Sequence, residues 1–215
     1  MNNLVNLKIS NHIATVALNR PDKKNALSKD MFNAIANVGE NLKHENDVRV
    51  IILTGSGSDF CSGLDTSTFS EWATDFQKVR NDLTSRPAGE NANWFQKPCY
   101  VWQEIEVPVI AAIKGVAFGA GIQLALAADF RITHPDSKFS IMESKWGIIP
   151  DLGITQNLPK LTRADIAKEL IMTGRIFDGN EALRLGLVTK VSKEPLIAAK
   201  EYAELLLKKS PDVLK

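Results

Sequence analysis

The segment GVAFGAGIQLALAADF, at positions 115–130, constrains the fold of this chain more than any other. Glycines at positions 115, 119 and 121 precede an almost wholly apolar stretch that carries one amide, Gln123. The glycine spacing lacks the third glycine of a dinucleotide-binding fingerprint and does not match a phosphate-binding P-loop. It is typical of a tight turn from a strand into a buried helix, with backbone N–H groups exposed at the turn. Such a turn can hold an oxyanion, or it can be an ordinary tight turn.

A second turn of similar character, TGSGSDFCSGLD at positions 54–65, follows a predicted strand. Two N–H donors from two such turns can converge on one carbonyl oxygen and form an oxyanion hole. Each donor of such a hole contributes about 10²–10³ in rate. Spacing alone leaves two ordinary turns as the alternative.

Strands alternate with helices along most of the chain. The predicted strands are 5–9, 13–18, 48–53, 109–113, 130–133, 138–141 and a short one near 188–191. Ser28 is expected to cap a first helix, which carries Met31, Ile35, Val38 and Leu42 on one face. Further helices are predicted at 120–128, 163–172, 180–185 and 195–209. This alternation predicts an α/β fold with parallel pairing and right-handed crossovers. No linker separates the helical end, so we treat it as an appendage to one core.

The charge balance and the histidines argue against several classes of partner. The 215 residues include 26 lysines and arginines and 25 acids, a net charge of +1. Because this balance provides no global field, we expect neither nucleic acid nor an acidic membrane as a partner. His12, His44 and His134 are widely separated and have no acidic or cysteine partners at ligand spacing, so we expect no metal site.

The cysteines and the N-terminal sequence predict a cytoplasmic location. Cys61 and Cys99 are too few for a disulfide framework, and MNNLVNLKIS lacks the pattern of a signal peptide. The apolar run 107–130 could suggest a membrane span, but Lys114 and Gln123 interrupt it. A buried strand, turn and helix account for this run better.

Several motifs together resemble the crotonase family, the enoyl-CoA hydratases and isomerases. They are Arg20-Pro21 with Asn25-Ala26-Leu27, VIILTGSGSDFCSGLD, KGVAFGAGIQLALAADFRI, FSIMESKWGIIPDLGITQNLPKLT and MTGRIFDGNEALRLGLV. The resemblance runs in order from about residue 5 to the C-terminus. It implies an α/β, crotonase-like spiral of repeated ββα units over 1–192, followed by the start of a helical trimerisation region at 193–215. It also implies a homotrimer or a dimer of trimers in fatty acid metabolism.

The same resemblance implies the parts of an acyl-CoA site. The oxyanion donors would be the N–H groups of Leu64 and Ala120. The coenzyme A moiety of the substrate would contact Lys23, Asn25, Ala26, Leu27, Cys61, Ser62, Gly63, Asp65 and Gly119. Acyl-CoA is then the substrate, and we expect no separate cofactor.

The carboxylates suggest which reaction the site carries out. Family hydratases use two glutamates that share one water; here the second is Glu143, and Gln123 takes the place of the first. An amide cannot exchange a proton at neutral pH, although it can hold a water. Family isomerases of the 3-enoyl to 2-enoyl type work with one glutamate at the position of Glu143. The 3,5-dienoyl to 2,4-dienoyl isomerases add an aspartate at the offset of Asp151. We therefore favour isomerisation, with hydration as the alternative and a non-catalytic acyl-CoA-binding protein as a lower one.

Each of these side chains also has a purely structural interpretation. Asp151 can cap a turn after Pro150, Glu143 can be a surface acid at a helix start, and Gln123 can be a buried amide satisfied by backbone groups. Aromatic residues in 66–107 can line an acyl pocket or pack a helix onto the sheet; they are Trp72, Trp94, Phe95 and Trp102. The segment 210–215 is expected to be the start of a truncated helix, with weakened closure over coenzyme A or an altered assembly.

Overall fold

The computed structural model describes residues 3–68, 74 and 76–214. The strands are β1 (Val5–Ser10), β2 (Ile13–Leu18), β3 (Val50–Gly55), β4 (Val109–Ile113), β5 (Val116–Phe118), β6 (Phe130–Thr133), β7 (Lys138–Ser140), β8 (Phe177–Asp178) and β9 (Lys190–Val191). The helices are α1 (Lys29–Lys43), α2 (Phe76–Thr84), α3 (Lys97–Tyr100), α4 (Ala120–Leu126), α5 (Ile154–Leu161), α6 (Ala164–Thr173), α7 (Gly179–Arg184), α8 (Pro195–Leu207) and α9 (Pro211–Leu214). Short 3-10 helices lie at Pro21–Lys23, Val101–Gln103 and Glu143–Trp146.

The main sheet has the strand order β1-β2-β3-β4-β6-β9. Strands β1 and β2 form the predicted antiparallel hairpin, and the remaining neighbours pair in parallel. Every residue of β3 and β4 is buried, as expected for parallel strands covered on both faces. The predicted α/β class and the parallel pairing are therefore confirmed.

A second, smaller sheet has the order β5-β7-β8. Strand β5 was not predicted, because its three residues lie between two glycines and are too few to show a period of two. It pairs in parallel with β7, and Ala117 at its centre forms an isolated bridge with Cys61. This small sheet therefore places the first glycine turn beside the second.

Helices cover both faces of the main sheet. Helix α1 begins after Ser28, whose hydroxyl accepts a hydrogen bond from the Met31 N–H, as predicted. Helix α4 is buried along its whole length. On the opposite face, α8 places Ala198, Ala199 and Ala203 against β3, β4 and β6 in a second apolar core. The apolar character of 115–130 is thus explained by burial within the protein.

The aromatic residues of 66–107 that the structure describes pack around α1. The rings of Trp94 and Phe32 stack with centroids 5.2 Å apart, and Phe95 meets Phe32 edge to face. Trp102 is buried in the same core. The packing interpretation therefore holds for these side chains, while Trp72 lies outside the described residues. Within the described ranges, no helix combines the length and apolarity needed to cross a membrane.

Candidate active site

The two glycine turns lie directly against each other. Gly63 has φ +98° and Gly119 has φ +51°, conformations that favour glycine. A Cβ atom built on Gly63 would lie 2.7 Å from the carbonyl oxygen of Phe118 and 3.7 Å from the Ala120 nitrogen. The backbones approach so closely that a side chain at position 63 would push the turns apart.

Two backbone donors at this junction have no partner within the described part of the chain. The neighbouring groups are paired: Gly119 N–H donates to Ser140 (2.9 Å), and Asp65 N–H donates to Leu27 (3.0 Å). Hydrogen bonds donated by the Leu64 or Ala120 N–H are absent from this part of the structure. Ala120 is the first residue of α4, where a backbone N–H has no acceptor within the helix. The predicted pair of oxyanion donors is therefore available to a ligand oxygen.

Glu143 lies beside these turns and is buried. It opens the 3-10 helix Glu143–Trp146, and its exposed fraction is 6%. A Cβ atom on Gly119 would lie 3.5 Å from Glu143 Oε1, so the carboxylate faces the turn. Its second oxygen, Oε2, is buried without a hydrogen-bond partner among the described residues. Glu143 is thus not a surface acid, and one carboxylate oxygen is left for a ligand.

Burial changes the acidity of this group. It raises the pKa of Glu143 above its ordinary value, and the negative charge of Asp151 adds to the increase. Hydrogen bonds from the Glu143 backbone and from Gln123 act in the opposite direction. A carboxylate with a raised pKa can exchange a proton with carbon acids more readily than an ordinary glutamate.

Gln123 contacts Glu143 rather than open solvent. Its Nε2 donates to Glu143 Oε1 over 2.7 Å, and its Oε1 accepts the Leu152 N–H over 3.0 Å. The orientation of the amide is fixed, since a backbone N–H can only donate. The Gln123 side-chain oxygen is thus satisfied by a backbone group, as the buried-amide interpretation expected. Its Nε2 instead donates to the carboxylate of Glu143.

Asp151 is half-buried in the segment before α5. Burial raises its pKa, and a hydrogen bond from its own backbone opposes the increase. Helix α5 begins after Gly153 without a side-chain cap, so Asp151 is not the N-cap of that helix. Its charge adds to the raised pKa of Glu143, and the neighbouring Leu152 N–H donates to Gln123, which also contacts Glu143.

Two thiols are buried in the core around these elements. Cys61 and Cys99 are fully buried, and burial raises the pKa of Cys61 to about 12. Burial also raises the pKa of Cys99, with smaller effects from Cys61, Asp151 and Glu143. Both thiols are therefore protonated at neutral pH and are poor nucleophiles. The electrostatic effect of the acids on Cys99 was not predicted, because nothing in its local sequence indicates it.

The loop predicted to bind coenzyme A is held by its own side chains. The Asn25 side chain accepts from the Arg20 N–H (2.8 Å) and donates to the carbonyl oxygens of Ser56 (3.0 Å) and Asp59 (2.7 Å). Arg20 also forms an ion pair with Asp65 at 2.9 Å. Sequence reasoning assigned no role to Arg20, which connects this loop to the second turn.

The other predicted contacts of coenzyme A differ in exposure. Ala26, Leu27, Cys61 and Gly63 are buried, Ser62 is half-buried and Lys23 is exposed. The backbones of Leu27 and Leu64 form a parallel bridge, so this loop lies against the oxyanion turn. Among the described residues, no group of three or more His, Cys, Asp or Glu side chains is arranged to hold a metal ion.

The chain is similar in sequence and in fold to several known proteins. A family model described as enoyl-CoA hydratase/isomerase matches residues 8–215. An (E)-benzylidenesuccinyl-CoA hydratase from Thauera aromatica is 34% identical over 96% of the chain and 77% of its own length. A peroxisomal Delta(3,5)-Delta(2,4)-dienoyl-CoA isomerase from Arabidopsis thaliana is 39% identical over 81% of the chain and 63% of its own length. The crystal structure of an enoyl-CoA hydratase from Bacillus anthracis superimposes with a TM-score of 0.86 at 32% identity, covering 97% of this chain and 78% of the other.

Proposed function

This chain belongs to the enoyl-CoA hydratase/isomerase family, and we propose that it moves a carbon–carbon double bond within an acyl-CoA thioester. The substrate would be a 3-enoyl-CoA or a 3,5-dienoyl-CoA, and the product the 2-enoyl or 2,4-dienoyl isomer. The observation that carries this proposal is the hydrogen bond from Gln123 Nε2 to Glu143 Oε1. It places a neutral amide beside the buried acid. Hydration by two glutamates that share a water would need a second acid at this place.

The backbone donors stabilise the charge that develops. The thioester oxygen lies between the Leu64 and Ala120 N–H groups, which have no other partner among the described residues. Removal of a proton from C2 moves electron density onto this oxygen and produces an enolate. Donors that are already oriented before the reaction lower the energy of this enolate. Each donor contributes a factor of about 10²–10³ in rate.

The acids transfer the proton. Glu143 Oε2 removes the C2 proton, and the electron pair of the broken C–H bond enters the enolate. Return of a proton at C4, or at C6 of a dienoyl chain, shifts the double bond without changing the composition of the substrate. Glu143 alone suffices for the short shift, whereas Asp151 supplies a second acid for the longer one.

A specific observation favours hydration as the second candidate. Gln123 Nε2 has two N–H groups, and the contact with Glu143 uses one of them. The other could orient a water for attack at C3, with Glu143 as the base. The 34% identity with a protein named as a hydratase gives the same indication. A non-catalytic acyl-CoA-binding protein is a lower alternative, because the acid and both turns are present.

Partners and location belong to the same proposal. We infer that an acyl-CoA thioester is the small-molecule partner, without a further cofactor. A homotrimer or a dimer of trimers in the cytoplasm is the assembly that the family resemblance favours.

Product analysis in deuterated water tests the proposal. Purified protein would be given matched 2-enoyl-, 3-enoyl- and 3,5-dienoyl-CoA, and the products would be identified by mass. Products with a moved double bond and no added water support isomerisation. A 3-hydroxyacyl product as the main outcome would overturn it in favour of hydration.

A further inference from the structure

The buried amide of Gln123 connects two separate segments of the chain. One end donates to the carboxylate of Glu143, at the start of a 3-10 helix. The other end accepts from the backbone of Leu152, the residue directly after Asp151. Gln123 itself is 1% exposed and lies on the fully buried helix α4. The amide is therefore held at a fixed place between Glu143 and the residue that follows Asp151.

We propose that Gln123 is a positioning residue that sets the distance between Glu143 and Asp151 and leaves a single oxygen of Glu143 facing the substrate. This inference rests on the isomerase proposed above. Gln123 acts through the two acids and does not itself exchange a proton.

The first part of this role concerns the carboxylate plane of Glu143. A hydrogen bond of 2.7 Å to Oε1 fixes the orientation of the group, while Oε2 has no partner among the described residues. Gly119, which has no side chain, leaves the space beside this carboxylate open. The free oxygen is thus held at a constant position beside the oxyanion donors.

The second part concerns the segment that carries Asp151. This segment precedes α5, and the Leu152 N–H would be left without a partner if the amide were removed. Buried backbone donors without acceptors are costly, so the segment would move to find another one. The position of Asp151 relative to Glu143 therefore depends on Gln123.

The protonation of Glu143 reports on this contact. Among the described titratable groups, Asp151 in the segment before α5 raises the pKa of Glu143, and Glu143 in turn contributes to the raised pKa of the Cys99 thiol on α3. Burial raises the pKa of Glu143, and the Gln123 hydrogen bond opposes this increase by stabilising the ionised form. Loss of the amide donor should therefore raise the pKa further.

A titration of Glu143 without substrate tests the first part. Protein with ¹³C-labelled glutamate carboxyl groups would be titrated by NMR, with the Glu143 signal assigned by its loss in Glu143→Gln. In Gln123→Met, which keeps the approximate volume but cannot donate, we expect the midpoint to rise by about one pH unit. In Gln123→Glu, two carboxyl groups would share one proton, and the upper midpoint should rise more than in Gln123→Met.

A matched control separates positioning from general damage. Asn157 is another buried amide, on the neighbouring helix α5, and Asn157→Leu should leave the Glu143 midpoint within about 0.2 pH unit of wild type. An unchanged midpoint in folded Gln123→Met and Gln123→Glu would overturn the inference. Since the titration needs no turnover, a wild-type protein that fails to isomerise any substrate would refute the proposed function and leave this result standing.

A double-mutant comparison tests the second part. Asp151→Asn removes a negative charge and should lower the Glu143 midpoint in the wild-type background. If Gln123 sets the distance between the acids, the same substitution should have a different effect in Gln123→Met. Equal shifts in the two backgrounds would show that Gln123 does not control this distance.

Discussion

Gln123 and Glu143 meet through a hydrogen bond of 2.7 Å in a buried part of the protein, with the amide as the donor. The contact pairs a side chain that cannot titrate with one whose pKa is raised by burial. Glu143 is therefore a buried acid beside the glycine turns, and under the proposed function Asp151 is a second group that exchanges a proton.

Replacement of the central acid should stop proton transfer. Glu143→Gln keeps the size of the side chain and can still accept the Gln123 hydrogen bond, but it cannot act as a base. We expect turnover and C2 proton exchange to fall by about 10²–10⁴. Acyl-CoA affinity, measured by calorimetry, should remain unchanged. Glu201→Gln, on the exposed face of α8, is the control and should retain full activity. Normal turnover in Glu143→Gln would show that another group is the base.

The same variant should be more stable than wild type at neutral pH. The pKa of Glu143 is higher in the folded state than the ordinary value of about 4.3 expected after unfolding. The folded state thus binds the proton more tightly, so wild type loses stability as pH rises from the unfolded pKa through the folded one. Urea unfolding at several pH values should show that the free energy of unfolding of Glu143→Gln increases relative to that of wild type as pH rises through this window. A difference that is constant with pH would contradict the raised pKa.

The close approach of the two turns can be tested with glycine substitutions. Gly63→Ala would place a Cβ atom 2.7 Å from the Phe118 oxygen, at a residue with φ +98°. We expect displacement of the neighbouring Leu64 donor and a loss of about 10²–10³ in turnover. Gly89→Ala is the matched control, since Gly89 has φ +82° but nothing within 4 Å of an added Cβ. It should cost about 1–3 kcal/mol of stability from backbone strain without a comparable loss of turnover. Equal losses of turnover would mean that strain alone explains both.

The second acid should matter for one class of substrate. Asp151→Asn removes the group assigned to the distant carbon, so turnover of 3,5-dienoyl-CoA should fall by about 10²-fold. Turnover of 3-enoyl-CoA should change by less than about tenfold, because Glu143 serves both carbons of the short shift. Parallel assays with the two substrates on one protein preparation provide the comparison. Equal losses of turnover for both substrates would mean that Asp151 contributes to substrate binding or folding instead.

Local sequence predicted the elements that depend on neighbouring residues. The β1–β2 hairpin follows from alternation, the Ser28 cap from a hydroxyl three residues before the Met31 N–H, and the paired turns from their glycines. Strand β5 was not predicted, because its three residues show no local period and are recognised as a strand only through their pairing with β7.

The finer structure of the site depends on contacts between distant residues. The Gln123–Leu152 hydrogen bond spans 29 positions, and the burial of Cys99 depends on how α3 packs. The family resemblance indicated the residues of the site, but only the three-dimensional structure shows that Glu143 Oε2 has no hydrogen-bond partner among the described residues.

Gly121 has a consequence for how such a site can diversify. A Cβ atom there would lie 2.3 Å from the Cys61 oxygen, so the two turns tolerate no enlargement on this side either. The contact between the two turns is therefore fixed in shape, whereas Gln123, Glu143 and Asp151 lie on α4, on a 3-10 helix and in the segment before α5. Under the proposed function, exchanging those three side chains would change the proton transfer while the contact between the turns stays the same.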